Sequence, residues 1–437
     1  MDFTVKNLGE CKVRSPLVDK FIRGQFPFVK DDRRMIYSVF TQNGESLTGL
    51  DHSNTMEIAG PRERIYFNPP SIKAAIVTCG GLCPGLNDVI RSIVNESYYH
   101  YGCTSLTGIR FGYNGLNPDM GYEPLELTPE MVEDIHLDGG TILGSSRGGT
   151  ENLDILFDTL ERWNIRILYT IGGDGTLRGA HGFYEVARKR GYDIAIIGIP
   201  KTIDNDISYI QRSFGFETAF SEAVDSIATA HVEAKGAPNG IGLVKLMGRY
   251  SGFIAANASL AMNDVNYVLV PEDPFDLYGE HGFLASLEKR MLDRGHAVIC
   301  VAEGAGQELL DKDPEGQKRD ASGNLALEDI GVFLKNRINK YFKEKNIPIN
   351  LKYIDPSYMI RCAPAVPTDS IYCALLGQYA VHAGMAGKTD VVIGQWNNIF
   401  THVPIEMAIS KRKQIDIKSK FWHNVISATG QPASMKN

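Results

Sequence analysis

From Ile72 onward, short β-rich apolar runs alternate with stretches of helical pattern, and glycine or proline closes most of the runs. "KAAIVT" leads into "LNDVIRSIVNESYYH", "RILYTI" into "TLRGAHGFYEVARKR", and "DIAIIGIP" into a longer helical stretch. "GIGLVKLM", "NYVLVP", "HAVICVAEG" and "TDVVIG" continue the series. Apolar runs without polar alternation suit strands covered on both faces, joined in parallel by right-handed helical crossovers. This rhythm restricts the chain to an α/β architecture. In open sheets of that kind ligands bind beyond the carboxyl ends of the strands, so the residues just after each strand carry the functional question. At 437 residues the chain exceeds one ordinary core, which suggests two or three domains. Residues 1–70 are polar and irregular, with "FTQNGESLTGLDHSN" and "AGPRER" reading as loops, and are expected to pack on the core as an extension. "LLDKDPEGQKRDASGN" (309–324) reads as a charged surface loop.

Charge and cysteine usage narrow the classes. A net charge of −7 argues against general nucleic-acid or anionic-membrane binding, while leaving room for a local basic site. The N-terminal stretch has no apolar signal region, and no run approaches the roughly 18 apolar residues of a membrane span. Seven scattered cysteines read as reduced thiols of a cytoplasmic protein. Cys79 and Cys83 have no second Cys or His pair to complete a metal site.

The strand-end clusters carry the chemistry. In "TCGGLCPGLND" (78–88), Gly80, Gly81 and Gly85 let backbone approach an anion before a helix starting near Leu86; a tight strand-to-helix turn explains them equally well. "LGSSRGG" (143–149) carries Arg147, whose planar fork suits phosphate but also suits solvent. "GGDGT" (172–176) is the sharpest signal. Its three glycines bare backbone amides beside a helix expected to begin near Thr176, and an acid there is repulsive to phosphate unless a cation intervenes. Asp174 would then hold Mg²⁺, a cation content with one carboxylate plus phosphate oxygens; an acidic N-cap in a glycine turn is the plain alternative. In "PKTIDND" (200–206), Asp204 and Asp206 are paired carboxylates: one can deprotonate a hydroxyl while the other orients it or helps hold the metal, and Lys201 adds positive charge. Solvated loop acids are the plain alternative. "LMGRYSG" (246–252) sets Arg249 at an expected helix N-terminus beside Gly248, "VAEGAG" (301–306) sets Glu303 at a strand end, and "YMIRC" (358–362) spaces Tyr358 and Arg361 three apart. For that last pair a core tyrosine with a surface arginine is the plain alternative.

"GGLCPGLND", "GGDGT", "PKTIDND", "MGR", "AEG" and the Tyr-x-x-Arg stand in the order of the phosphofructokinase family, which the chain resembles from about Ile72 to about Gly394. The resemblance implies an α/β fold of two similar three-layer domains with largely parallel sheets and the active site in the cleft between them, plus the N-terminal extension. It implies an ATP-binding domain over 71–215 and 361–405, a sugar-phosphate domain over 216–360, and a segment over 406–437 crossing back. It implies a kinase that passes the γ-phosphoryl of MgATP to the 1-hydroxyl of fructose 6-phosphate, cytoplasmic and homo-oligomeric, with a tetramer favoured over a dimer. Carried over, Gly81, Arg147, Gly148, Gly173, Asp174, Gly175 and Thr176 bind the donor, and Asp174 holds Mg²⁺. Asp204 is the general base. Thr202, Asp206, Met247, Gly248, Arg249, Glu303, Tyr358 and Arg361 surround the sugar phosphate, with Arg361 on its 6-phosphate. Gly175 and Lys201 point opposite ways on the donor: pyrophosphate enzymes of the family carry a second aspartate at the first position and a lysine at the second. An aspartate at 175 would fill and charge the space of a nucleotide α-phosphate, so ATP is expected and pyrophosphate is the alternative. Lipid and NAD kinases share GGDGT without the other motifs, and a non-catalytic regulatory subunit should have lost Asp174 or Asp204. Gly240 stands where familiar bacterial members place an arginine that reaches a neighbouring subunit.

Overall fold

The continuous apolar runs become strands buried on both faces, and the residues that close them start the loops. The computed structural model describes residues 1–20, 28–40, 50–310 and 327–437. Most of the charged stretch read over 309–324, from 311 on, lies outside the described residues. The chain divides into two units, one of Met1–Thr202, Ile207–Gly215 and Ala363–Arg412, the other of Ile203–Asp206, Phe216–Cys362 and Lys413–Asn437.

The first unit is built on a nine-stranded sheet. Its centre is five parallel strands in the spatial order Val391–Trp396, Ala195–Pro200, Ile165–Gly172, Lys73–Thr78, Leu106–Ile109. Antiparallel strands flank them: Ile399–Pro404, Thr55–Ile58 and Arg34–Ile36 on one side, Leu125–Glu126 on the other. Every residue of Ala195–Pro200 is buried, as a strand covered on both faces must be. Helices Leu153–Arg162 and Asp174–Arg190 pack together, as do Leu86–Asn95 and Pro367–Met385. Residues 1–70 contribute more than a covering: they supply two strands of the sheet, and Phe3 and Met56 are fully buried in its core.

The second unit holds four parallel strands in the order Tyr267–Leu269, His296–Ala302, Gly240–Leu246, Asn350–Ile354. The alternation of a strand sorts its side chains into two cores. Val298, Cys300 and Ala302 face the cluster of Ala223, Ile227, Ile254 and Ala258. Ala297, Ile299 and Val301 face that of Leu284, Leu287, Leu334 and Ile338. The C-terminal helix Lys420–Thr429 adds Trp422 and Val425 to the first of these cores. Among the described residues no helix is long and apolar enough to cross a membrane.

Candidate functional site

In the first unit the glycine loops after strands Lys73–Thr78 and Ile165–Gly172 are stitched to each other and to the 143–149 loop, which the sequence placed at a strand end but which follows the turn Ile135–Leu137. The Gly80 amide donates to the Ser146 carbonyl (2.8 Å), Ser145 Oγ donates to the Gly80 carbonyl (2.7 Å), and the Cys79 amide donates to the Ile171 carbonyl (3.0 Å). Loops 78–85, 143–149 and 172–176 therefore lie side by side, with Leu82, Arg147 and Gly175 their exposed residues. Lys201 joins it. Its amide donates to the Gly172 carbonyl (3.0 Å), and its buried side chain brings Nζ to the Gly81 carbonyl (2.9 Å). Gly80 has φ +92°, and a Cβ there would sit 2.9 Å from Lys201 Nζ, so only glycine admits both the turn and the lysine. Arg147 is exposed, with Nη2 3.7 Å from where a Gly81 Cβ would be. Gly148, beside it, has φ +73°. The Ser213 hydroxyl fixes the Thr202 carbonyl at 2.6 Å.

The helix after GGDGT begins at Asp174, two residues before the expected start, with Gly173 as its N-cap. Gly175 therefore sits inside the first turn and not in the loop before it. Thr176 is buried, and its carbonyl accepts from the Tyr113 hydroxyl (2.7 Å). A Cβ on Gly172 would collide with the Thr176 side chain, whereas one on Gly175 meets nothing within 4 Å beyond its own helix backbone and chain neighbours. The glycines thus divide: Gly172 serves packing and Gly175 leaves space. The first-turn amides of a helix have no partner within it and suit an anion. Asp174 accepts a fork from Arg178 (3.0 and 3.3 Å), and Arg412 Nη2 lies 3.6 Å away. Among the described residues no group of three or more His, Cys, Asp or Glu side chains is gathered as a metal cage. One carboxylate beside open space and helix amides is a donor set that fits Mg²⁺ shared with phosphate oxygens, and does not fit a cation held by protein alone.

The second unit holds Asp204, Asp206, Met247, Gly248, Arg249, Glu303, Tyr358 and Arg361, while Thr202 closes a segment of the first. Asp204 Oδ2 accepts from the Arg249 amide (3.2 Å), and the Asp204 carbonyl accepts from Ser251 Oγ (2.9 Å). The Glu303 amide donates to the Leu246 carbonyl (2.8 Å), and the Gly304 amide to the Gly248 carbonyl (3.0 Å). Gly248 has φ +131°, and its missing Cβ would strike the Ser251 carbonyl. Arg361 Nε donates to the sulfur of the fully buried Met247 (3.3 Å). Burial pushes the Asp204 carboxyl up to about 7; the nearby Asp206 and Glu303 carboxylates add to the rise, and the Arg249 amide and Arg361 oppose it. A carboxyl poised near neutrality is suited to taking a proton from a hydroxyl.

Some sequence expectations change here. Helix Phe253–Met262 is capped by Gly252, so Arg249 sits in the loop before it and not at its N-terminus: "RYS" lengthens the turn. The plain reading of the Tyr-x-x-Arg pair is reversed, since Tyr358 is 78% exposed and Arg361 is half-buried. Asp206 is buried and not a solvated loop acid.

Lys413 escapes sequence reasoning. Its amide donates to the Asp206 carbonyl (2.9 Å) and its Nζ to Asn205 Oδ1 (2.8 Å). Desolvation pulls the ammonium down to about 7, with Asp206 opposing. Nothing in "KRKQIDI" announces this, because the partners lie more than 200 residues earlier.

Parallel sheets with glycine-rich anion loops and carboxylates at their strand ends define an α/β phosphate-handling protein. The phosphofructokinase family model matches residues 73–384. A protein of Borreliella burgdorferi named ATP-dependent 6-phosphofructokinase is 51% identical over 444 residues, spanning 100% of this chain and 98% of that one. One of the same name from Amycolatopsis methanolica is 45% identical, spanning 99% and 95%. The crystal structure of a pyrophosphate-dependent phosphofructokinase from Marinobacter aquaeolei shares the fold with TM-score 0.67 at 19% identity, covering 83% of this chain and 92% of that one. The chain belongs to the phosphofructokinase family.

Proposed function

We propose that the protein is an ATP-dependent 6-phosphofructokinase, passing the γ-phosphoryl group of MgATP to the 1-hydroxyl of fructose 6-phosphate. The observation that carries this reading is Asp204: a carboxyl raised to about 7, fixed by the Arg249 amide among the MGR, AEG and Tyr-x-x-Arg residues. Asp204 accepts the hydroxyl proton as the oxygen attacks phosphorus, and the product leaves as fructose 1,6-bisphosphate with ADP. Arg249, Glu303 and Arg361 orient the sugar phosphate, with Thr202, Asp206, Met247, Gly248 and Tyr358 completing its surroundings. On the donor side the loop amides of Gly81, Gly148, Gly173 and Gly175, with Thr176 and Arg147, offset phosphate charge. Asp174 would hold Mg²⁺, which supplies charge neutralisation on the phosphates.

The open space at Gly175 supports ATP, as do the names of the relatives. Lys201, with its ammonium inside the first glycine loop, favours pyrophosphate as the second reading. Seven cysteines without a disulfide suit a cytoplasmic protein. Exposed Tyr358 and Met359, at 78% and 77%, suit a homo-oligomer, for which a tetramer is favoured over a dimer. The test is a coupled assay with fructose 6-phosphate and Mg²⁺, giving ATP and pyrophosphate in parallel. Turnover with ATP alone upholds the proposal. Turnover with pyrophosphate alone transfers the donor assignment from Gly175 to Lys201, and silence with both overturns the kinase reading.

A further inference from the structure

The turn that carries Asp204 is strained and held from two sides. Asn205 has φ +55°, in the left-handed region that asparagine tolerates better than most residues. From one side Ser251 binds the Asp204 carbonyl. From the other comes the strap 413–415. Besides the two Lys413 bonds, Gln414 Nε2 donates to the Tyr250 carbonyl (2.9 Å), and the Ile415 amide donates to Glu272 Oε1 (2.9 Å). Glu272 also accepts from the Gly252 amide (3.0 and 3.1 Å), the N-cap of the helix that follows MGR. One short strap therefore fixes both the 203–206 turn and the 248–252 loop.

Of the strap's contacts only Lys413 reaches the turn with a charged group. Its ammonium lies 5.4 Å from the Phe253 ring centroid and is drawn out of water. Desolvating an ammonium costs stability that a well-packed apolar side chain of the same length does not. A lysine kept under that cost, bonded to the residue next to the proposed base, is serving the geometry of the turn.

We infer that Lys413 is a positioning residue for the proposed transfer, clamping the 203–206 turn so that Asp204 stays aimed at the acceptor hydroxyl. The inference rests on the phosphofructokinase reading for its catalytic consequence, and on the hydrogen bonds alone for the clamp.

Two variants and two readouts test it. Lys413→Met keeps the length of the side chain and removes the charge. Asn205→Gly removes the Oδ1 acceptor that the ammonium reaches while keeping the backbone conformation accessible, and stands in if Lys413→Met does not fold. Misplacing a reacting group by about 1 Å can cost roughly 10²-fold, so kcat is expected to fall about 10–100-fold in Lys413→Met, with KM for fructose 6-phosphate changed less than about threefold. Asn205→Gly is expected to act in the same direction. The double variant should be no worse than the more affected single one, as for two members of one interaction. Amide exchange over 203–206 should quicken in either single variant while the helix Phe253–Met262 keeps its protection. An active wild type whose variants keep kcat overturns the positioning role and leaves the functional reading standing. A wild type silent on fructose 6-phosphate overturns the functional reading, and the exchange experiment still decides the clamp: unchanged protection of 203–206 overturns it whatever the activity.

Discussion

Asp204 shows how a carboxylic acid is prepared to work near neutral pH. Its partners split its environment: Asp206 and Glu303 repel its charge, while the Arg249 amide and Arg361 favour it. Asp204→Asn keeps the shape and removes the proposed base. It should lower kcat by about 10²–10⁴-fold with little change in KM, measured under saturating donor. The wild type's activity should rise as pH climbs through about 7 and then level, because the base must be deprotonated to act. The stability effect has the opposite sense. The folded carboxyl titrates near 7 and the unfolded one near 3.8, so between those values the folded state holds a proton that the unfolded state has lost. Stability then declines as pH rises through that window. Asp204→Asn should melt above the wild type at pH 8, and the gap should close as pH falls towards 4. Thermal unfolding at the two pH values checks this.

At the scale of single elements, the loops divide between what a strand pattern announces and what it hides. The central strands were legible because strands covered on both faces are written as unbroken apolar runs. Strands Arg34–Ile36 and Thr55–Ile58 were not, since "RMI" and "TMEI" are short and mix charge with apolar residues, as flanking strands do. The helix start at Asp174 was misplaced because glycine reads as loop, although Gly175 sits within the first turn. That geometry yields a prediction. Gly175→Asp adds a side chain where nothing beyond the helix's own backbone and chain neighbours lies within 4 Å of its Cβ, at a helix N-terminus that favours acids. Folding should be unimpaired in a thermal melt. Like-charge contact costs several kcal/mol, so kcat/KM for ATP should drop by about 10²-fold or more. The 413–415 strap left no local trace, because a clamp between distant segments has no periodicity to read.

At the scale of the whole chain, each unit is assembled from separated segments. The second takes 203–206 from one part of the sequence, 216–362 from another and 413–437 from a third. Trp422, 3% exposed among Ile254, Ala258 and Val425, anchors the last of these. Trp422→Ala should destabilise the second unit by about 3–5 kcal/mol. Denaturant titration followed by amide exchange in the helix Phe253–Met262 would register the loss.

This interleaving sets an order on biosynthesis. A ribosome that has released everything up to Arg412 has supplied all three segments of the first unit. The second still lacks Ile415, Trp422 and Val425 from its core, and the 203–206 turn still lacks Lys413. The 203–206 turn and its core therefore gain their last contacts only after every segment of the first unit has been made. A nascent chain, or a fragment ending near residue 412, carries every segment of the first unit yet lacks the strap that holds the Asp204 turn and the 248–252 loop.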